Sequence, residues 1–486
     1  MNKPHRSKTL VFSLVPALFI LASCARTPVP ELVDGDIPEN WQGPVDSTAD
    51  VWPDVDWWMN FGSDELVEII EEVKANNFDY QNNLRNLRAA QIQLEDAGFQ
   101  LWPTPNLSIS NSASTSVTRN SDPLIPDSSG GSSGPFNVSA SVSFSGILSK
   151  PINYDRAINS YDSQLVAVSE TALNTLGTAA SAYFRLLFLR DQIEATRFNL
   201  LVANEVLDIT QARVDAGVEI PINLLNQQIQ VANIENSLTS QLQQDFEARA
   251  SLALLMGRSV QGFNIEGQTL EGIIVPTVQP GLPSELLTRS PQLVRAELSL
   301  QSAAINVDSA RLNFFPQISL SGSAGERSPA LIDLVSDPLS TTVSLSASIS
   351  QTLLDNGGRR RNMEQAELNL ETALANYRRT VIQTFNNVEI QLNNIELLRA
   401  QGEVQDSSYE AALEQYRLAD LRYEQGTANY QTSLNAQNSL LSSSNSVLSN
   451  RLSQINAIIN FYQTLGGGWE AGEILVEAPE YAQQVN

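Results

Sequence analysis

Among 486 residues there is one histidine, His5, and one cysteine, Cys24. No disulfide can form within the chain, and past residue 24 there is neither an imidazole nor a second thiol. This excludes His- and Cys-based metal sites, Cys/His and Ser/His/Asp nucleophile arrangements, and the commonest general base. Carboxylates alone can do acid–base work, yet no pair of them lies in an apolar pocket pattern, so the composition argues against an enzyme. Positive charge is also scarce: 29 Lys and Arg stand against 54 Asp and Glu, a net charge of -25. Phosphate backbones repel such a polyanion, which excludes nucleic acid as a partner.

The N-terminus carries Lys3, Arg6 and Lys8, then an apolar run from Leu10 to Leu21, then Leu21-Ala22-Ser23-Cys24. A positive leader, a short apolar core and small residues before a cut predict a secretory signal over residues 1–23. The run is too short to span a bilayer as a helix. A lone thiol at the cut resembles a bacterial lipid-attachment box, with Cys24 carrying a diacylglycerol and an N-acyl chain. Two or three acyl chains, at roughly 0.8 kcal/mol per buried methylene, hold a protein on a membrane. In that lipoprotein class an Asp after the cysteine favours the inner membrane; Ala25 stands there, which points to the outer membrane.

The remainder reads as an internal duplication. Trp102-Pro103-Thr104-Pro105-Asn106-Leu107-Ser108 recurs in kind as Phe315-Pro316-Gln317-Ile318-Ser319-Leu320-Ser321, with the prolines 103 and 316 separated by 213 residues. Ala212-Arg213-Val214-Asp215-Ala216-Gly217 recurs as Leu421-Arg422-Tyr423-Glu424-Gln425-Gly426, 209 residues on. Near-equal offsets at two landmarks mark a repeated unit far longer than a solenoid repeat. The expected divisions are an extended strap over 24–62, a first repeat over 63–283, a second over 284–469 and a tail over 470–486. Each repeat should open with a helix, Ser63 to Gln100 and Ser284 to Asn313, ended by proline.

Two strands per repeat follow. Val138, Ala140, Val142 and Phe144 alternate with Ser139, Ser141, Ser143 and Ser145; Val343, Leu345, Ala347 and Ile349 alternate with Ser344, Ser346, Ser348 and Ser350. Leu107/Ile109 and Ile318/Leu320 begin the partner strands, and 119–135 and 325–340 read as connecting loops. A soluble sheet on helices also alternates, but it usually shows charge on its wet face rather than unbroken serine. Apolar on one side and hydroxyl-lined on the other suits a barrel with lipid outside and water inside. Four strands cannot close a barrel in lipid, so the chain must pool strands with copies of itself.

Long helices then turn at glycine. Ile193, Leu200, Leu207 and Val214 keep a seven-residue spacing up to Gly217, and Leu224, Val231 and Leu238 resume it. Leu397, Val404, Ala411 and Leu418 precede Gly426; Leu434, Leu441, Leu448, Ile455 and Tyr462 follow it. The spacing predicts coiled-coil seams. Around the seams lie small neutral hydrophilic residues such as Ser442, Ser443, Ser444, Asn445 and Ser446, which suit the wall of an aqueous tube or the wet face of an ordinary bundle.

The run Phe314-Phe315-Pro316-Gln317-Ile318-Ser319-Leu320-Ser321-Gly322, the pair Arg422-Tyr423 with Gly426, the segment Leu434-Asn435-Ala436-Gln437 and Leu465-Gly466-Gly467-Gly468-Trp469 resemble the TolC-type outer-membrane efflux family. Cys24 and the terminal GGGW resemble its lipoprotein branch, which acts with RND pumps. The resemblance implies a mainly α fold with a β-barrel part: a homotrimer with four transmembrane strands per chain, continued by a periplasmic helical tunnel about 100 Å long, roughly 65 residues of helix rise. It implies a passive, gated, cofactor-free conduit for small molecules, partnered by a periplasmic adaptor, an inner-membrane RND transporter and outer-membrane lipid.

By the same resemblance the tips that meet the adaptor are Gly217, Val218 and Glu219 with Gly426, Thr427 and Ala428. The candidate gate is Asp420, Glu424, Thr432 and Asn435. The family's aspartate in its Leu-Asp-Ala segment is Asn435 here, and the nearby position that can be acidic is Thr432, so any acidic charge comes from Asp420, Glu424, Asp215 and Glu219. A solvated helix face is the competing reading of those four. Two other functions share parts of this pattern: the outer channel of a type I protein secretion system, and a surface lipoprotein that only adheres. Gly357-Gly358-Arg359-Arg360-Arg361 lacks phosphate-loop spacing and reads as a strand exit near lipid headgroups. Trp41, Trp52, Trp57 and Trp58 read as part of an extended strap packed on the outer girth of the tube.

Overall fold

The computed structural model describes residues 26–28, 41–43, 54–118, 128–267, 269–277, 281, 283–328, 340–467 and 469, with side chains between 112 and 135 excepted. Cys24, Trp52, the signal segment and the tail lie outside the described residues. The chain resolves into two compact units, each assembled from both halves of the sequence. One joins Ala89–Asp162 to Leu298–Ala375; the other joins Ser163–Glu297 to Leu32–Arg88 and Asn376–Asn486.

The first unit holds an antiparallel sheet of β1 (Thr104–Thr118), β2 (Ser128–Ser145), β3 (Gln317–Ser328) and β4 (Ser340–Ser350), in that order. Register stacks like on like. Leu107 opposes Ala140, Ala140 opposes Ala324 and Ala324 opposes Val343, while Ser108 opposes Ser139 and Ser319 opposes Ser348. The serine face is laced by cross-strand hydroxyl pairs at 2.7 Å, Ser108–Ser139, Ser319–Ser348 and Ser323–Ser344. Such pairs contribute roughly 0.2–1 kcal/mol each. The other face leaves Leu107, Ile109, Val343, Leu345 and Ile349 between 64% and 89% exposed. Strands β1 and β4 are the edges of this sheet, with no neighbour on their outer sides among the described residues.

β2 begins at Ser128, well inside the segment expected to be a loop. Serine and glycine there show no alternation, but the backbone pairs with β1 down to Thr118↔Ser128. The register shifts between Asn111 and Ala113, where Pro135 is passed over; a proline without an N–H is tolerated in a strand at such a bulge.

Each expected opening helix is two. In the first repeat α1 (Asp64–Asn76) and α2 (Phe78–Phe99) are separated at Asn77, and in the second α5 (Leu286–Arg289) and α6 (Pro291–Leu312) at Ser290. Both breaks have extended backbone, ψ 126° and 114°. Asn77 ends α1 and caps α2, accepting from the Tyr80 N–H at 3.0 Å while donating to the Leu255 carbonyl at 3.0 Å. At the second break Pro291 starts α6 with its fixed φ. Upstream, Ser63 caps α1 by accepting from the Leu66 N–H at 3.2 Å.

Long helices follow: α3 (Lys150–Asp215), α4 (Pro221–Leu255), α7 (Gly358–Glu424) and α8 (Tyr430–Thr464). The core of the second unit gathers Phe61, Leu66, Ile70, Phe184, Leu187, Leu252, Phe263, Ile455 and Ile459. Trp57 and Trp58 belong to it, each 1% exposed, with Trp57 stacked on Tyr462 at 5.2 Å. Trp41 packs on Phe385 at 5.8 Å and donates its indole N–H to the Gly281 carbonyl at 2.6 Å. Two of the strap's tryptophans are therefore core residues.

Seams differ between the hairpins. Ile193 and Val231 are buried and Leu200, Leu207, Val214 and Leu224 half-buried, as the spacing predicts. On α7, however, Leu397, Val404, Ala411 and Leu418 are exposed, and beyond Leu392 the buried residues are Ala412, Ala419 and Tyr423. Helix α7 carries two stripes one position apart; the small residues of one admit close packing within the chain and leave the larger ones outside. In serine-rich α8 hydroxyls reach back to its own carbonyls, Ser443 to Leu440 and Ser446 to Ser442, each at 2.9 Å, contacts that add no helix stability of their own. The helix is held by the packing of its buried face, Ser433, Ala436, Gln437, Asn450 and Ile455 among others.

Candidate functional site

Both hairpin turns lie in the second unit and share one backbone solution. At the end of α3 the Val218 N–H donates to the Arg213 carbonyl at 3.0 Å and the Gly217 N–H to Val214 at 2.9 Å. At the end of α7 the Thr427 N–H donates to Arg422 at 2.8 Å and the Gly426 N–H to Tyr423 at 3.0 Å. These are paired Schellman bonds, and each needs a left-handed residue; Gly217 and Gly426 both have φ 73°. A Cβ at either would meet nothing within 4 Å, so glycine is required by backbone angle rather than by space.

Side chains then diverge. The first turn presents Val218 at 74%, Ile220 at 58% and Ile222 at 58% exposure, a bare apolar knob. Glu219 is spent locally, its carboxylate accepting from Asn223 Nδ2 at 2.6 Å and from the Ile220 N–H at 3.3 Å. Pro221 opens α4. The second turn is polar: Thr427 donates its hydroxyl to the Arg422 carbonyl at 3.1 Å, and the Ala428 N–H reaches the same carbonyl at 3.1 Å. Asn429 caps α8, accepting from the Thr432 N–H at 3.0 Å and the Thr432 hydroxyl at 2.7 Å. The Thr432 hydroxyl is thus taken up by the Asn429 cap. Exposed Asn435 accepts from Gln431 Nε2 at 2.9 Å.

A buried clasp joins the two hairpins. Arg213 donates to the Tyr423 carbonyl at 3.1 Å and lays its guanidinium over the Tyr423 ring at 4.3 Å. Tyr423 meets Tyr430 edge-on at 6.3 Å. The Tyr430 hydroxyl donates to Gln227 Oε1, and Gln227 Nε2 donates to the Ala203 carbonyl at 2.7 Å, with Gln227 fully buried. Burial, and after it Tyr423, pushes the Tyr430 phenol up to about 12. The Tyr423 hydroxyl is buried with no partner among the described residues. Val206, Val202 and Leu434 surround the pair.

Acidic residues stand beside the clasp. Half-buried Asp420 has its carboxyl raised above the usual range by burial first, then by Glu424 and Glu205. Tyr416 is raised by burial and by Asp420, Glu205 and Glu424. Of the residues expected at the gate, the structure brings Asp420 and Glu424 together and leaves Thr432 and Asn435 on an exposed face of α8. Gln227 and Glu205 were not singled out by sequence, and Arg213 and Tyr430 stood out only as members of the landmark and tip runs, with no contact assigned to them. Their one signal lies in the duplication: Arg213-Val214 matches Arg422-Tyr423, so an aromatic appears in the second copy only.

Above the tips, α7 and α8 flank grooves of hydroxyls and amides. One, of about 430 Å³, is lined by Gln401, Gln405, Ser442, Asn445 and Ser449 among others. Its neighbour, about 480 Å³, adds Ser408, Asn438 and Ser439. No lining residue of either carries a charge. Among the described residues no cluster of His, Cys, Asp and Glu could hold a metal ion, and no helix is long and apolar enough to cross a membrane.

The profile of the outer membrane efflux protein family matches residues 69–258 and 282–467. The chain is 29% identical to the pyoverdine export outer membrane protein OpmQ of Pseudomonas putida, over 94% of this chain and 97% of that protein. It is 28% identical to a toluene efflux pump outer membrane protein, TtgI, also of Pseudomonas putida, over 94% and 98%. Its backbone resembles the Campylobacter jejuni CmeC outer membrane channel with a TM-score of 0.80 at 21% identity, covering 92% and 96%. The open state of the Neisseria gonorrhoeae MtrE outer membrane channel gives 0.77 at 22%, covering 92% and 99%.

Proposed function

This chain belongs to the outer membrane efflux protein family, and from that premise we propose that it works as a homotrimer, a passive conduit through which an RND-type transporter and a periplasmic adaptor export small molecules. It is an outer-membrane channel component, not an enzyme, and needs no cofactor. The observation that carries the trimer is the sheet. Four strands with an exposed apolar face, a serine face and two open edges cannot persist in lipid, where each unpaired backbone group costs several kcal/mol. Copies joined edge to edge close it, with serine inside and Leu107, Val343, Leu345 and Ile349 toward lipid.

The exposed stripe Ile390, Leu397, Val404, Ala411 and Leu418 then has an occupant, a helix of the next subunit, and the uncharged grooves of α7 and α8 become the wall of the conduit. Acyl chains on Cys24 supply a second membrane anchor. Gly217, Val218 and Glu219 with Gly426, Thr427 and Ala428 form the surface that meets the adaptor, and Asp420 and Glu424, with Thr432 and Asn435 beyond them, line the narrow end.

Edge pairing tests this. Within one chain β1 and β4 are three strand spacings apart, about 14 Å at 4.8 Å each, beyond disulfide reach. Single cysteines at Ser108 and along β4 from Ser344 to Ser348, combined pairwise, should give covalent trimers under oxidation in membranes. Products no larger than one chain from every pair would end the trimer reading.

A further inference from the structure

The duplication exposes a surplus of basic side chains where β4 passes into α7. In the first repeat Lys150 follows β2; it donates to the carbonyls of Gln100 and, at 3.4 Å, Trp102, and sits over the Phe144 ring at 4.2 Å. Its counterpart 209 residues later is Arg359, which donates to the carbonyls of Thr352 and, at 3.4 Å, Asn313, pairs with Asp355 at 3.0 Å and lies 6.0 Å from the Phe314 ring. Each repeat thus uses one cation to tie the strand exit to the helix-to-strand turn beside it. Arg360 and Arg361, matching Pro151 and Ile152, are not needed for that tie. Both are exposed; Arg361 donates to the Asn356 carbonyl at 2.8 Å, and Arg360 has no partner among the described residues.

Beside them the apolar row of β4 continues out of the strand. Leu353 and Leu354 are 84% and 92% exposed, whereas Ile147 and Leu148, the apolar pair that follows β2, are half-buried. Phe99 and Trp102, at 77% and 73%, and Phe314 and Phe315, near half, are exposed at this same helix-side end of the strands. Bare leucines and aromatics with unneutralised guanidiniums, in a chain with nearly twice as many acidic as basic residues, match the boundary of a bilayer, apolar on one side and anionic on the other. Resting on the barrel reading above, we infer that Arg360 and Arg361, with Leu353 and Leu354, seat an anionic phospholipid of the leaflet on the helical side of the barrel. The arginines hold its phosphate bidentately and the leucines enter the acyl region. The seat belongs to the second repeat alone.

The full-length protein, purified with phosphatidylglycerol and phosphatidylcholine together, is weighed intact by native mass spectrometry and its retained lipids counted. Wild type should keep phosphatidylglycerol preferentially. Arg360→Gln with Arg361→Gln should lower that retention roughly fivefold per charge removed and leave phosphatidylcholine unchanged; Leu353→Ser with Leu354→Ser should lower both lipids. Arg360→Gln alone breaks no contact of the fold and guards against misfolding of the double variant. Unchanged phosphatidylglycerol retention in variants that still have the mass of three chains overturns the seat. So does displacement of the lipid by inorganic phosphate at equal affinity, which assigns the arginines to a free anion. Failure of every edge-cysteine pair, placed in an otherwise wild-type chain, to form cross-linked trimers would instead overturn the barrel reading.

Discussion

The two hairpin tips have the same backbone and opposite chemistry. Gly217 and Gly426 hold the same left-handed angle and the same pair of Schellman bonds, yet one tip ends in bare Val218 and Ile220 and the other is pinned through buried Tyr423 and Tyr430. Backbone geometry leaves little choice at the turning residue, whereas each flanking side chain answers only to its own neighbours. Duplication therefore yields one tip free to be touched and one fastened to the rest of the chain.

Replacing the fastening should have the largest effect. Tyr430→Ala removes a buried aromatic and should cost about 3–5 kcal/mol of local stability, read as faster amide exchange through the start of α8. The positional equivalent Pro221→Ala should stay within about 0.5 kcal/mol. Equal losses at the two would erase the distinction. Gln227→Leu keeps the volume but strands the Tyr430 hydroxyl and takes the extra donor from the Ala203 carbonyl, for roughly 2 kcal/mol by the same readout.

Where the tips are alike, their responses should match. Gly217→Ala and Gly426→Ala each force an L-residue into φ 73° in open space, about 1 kcal/mol apiece. A much larger loss at one would mean that its surroundings, not its backbone angle, select glycine. The smallest effect concerns charge. Asp420 has a raised carboxyl, so its folded form binds protons more readily than the unfolded chain, and the second tip should stabilise as pH falls through the upper carboxylate range. Asp420→Asn should mimic that gain at neutral pH and flatten the dependence; a wild-type tip that loosens on mild acidification would reverse the sign.

Much of the fold was legible because strong local periods carry it. The alternation of Val138 to Ser145 and Val343 to Ser350 fixed strands and their faces, and glycine marked both turns. Early β2 was not legible: Ser128 to Gly134 has no apolar alternation, and only pairing with β1 makes it a strand. Nor could spacing decide which stripe of α7 faces inward, since Leu397 and Ala412 belong to equally regular heptads and the choice depends on packing against helices distant in sequence. The tips were found through glycine and resemblance. The clasp of Arg213, Tyr423, Tyr430 and Gln227 was not, because its members come from all four long helices and meet only in the folded chain.

Conductance across a planar bilayer by the purified, full-length protein tests the conduit most directly. Stepwise currents are expected, small and intermittent with the clasp intact and larger for Arg213→Ala or Glu424→Gln, from a particle whose mass is that of three chains. A single chain that passes no current, as wild type and with either tip altered, would contradict the account.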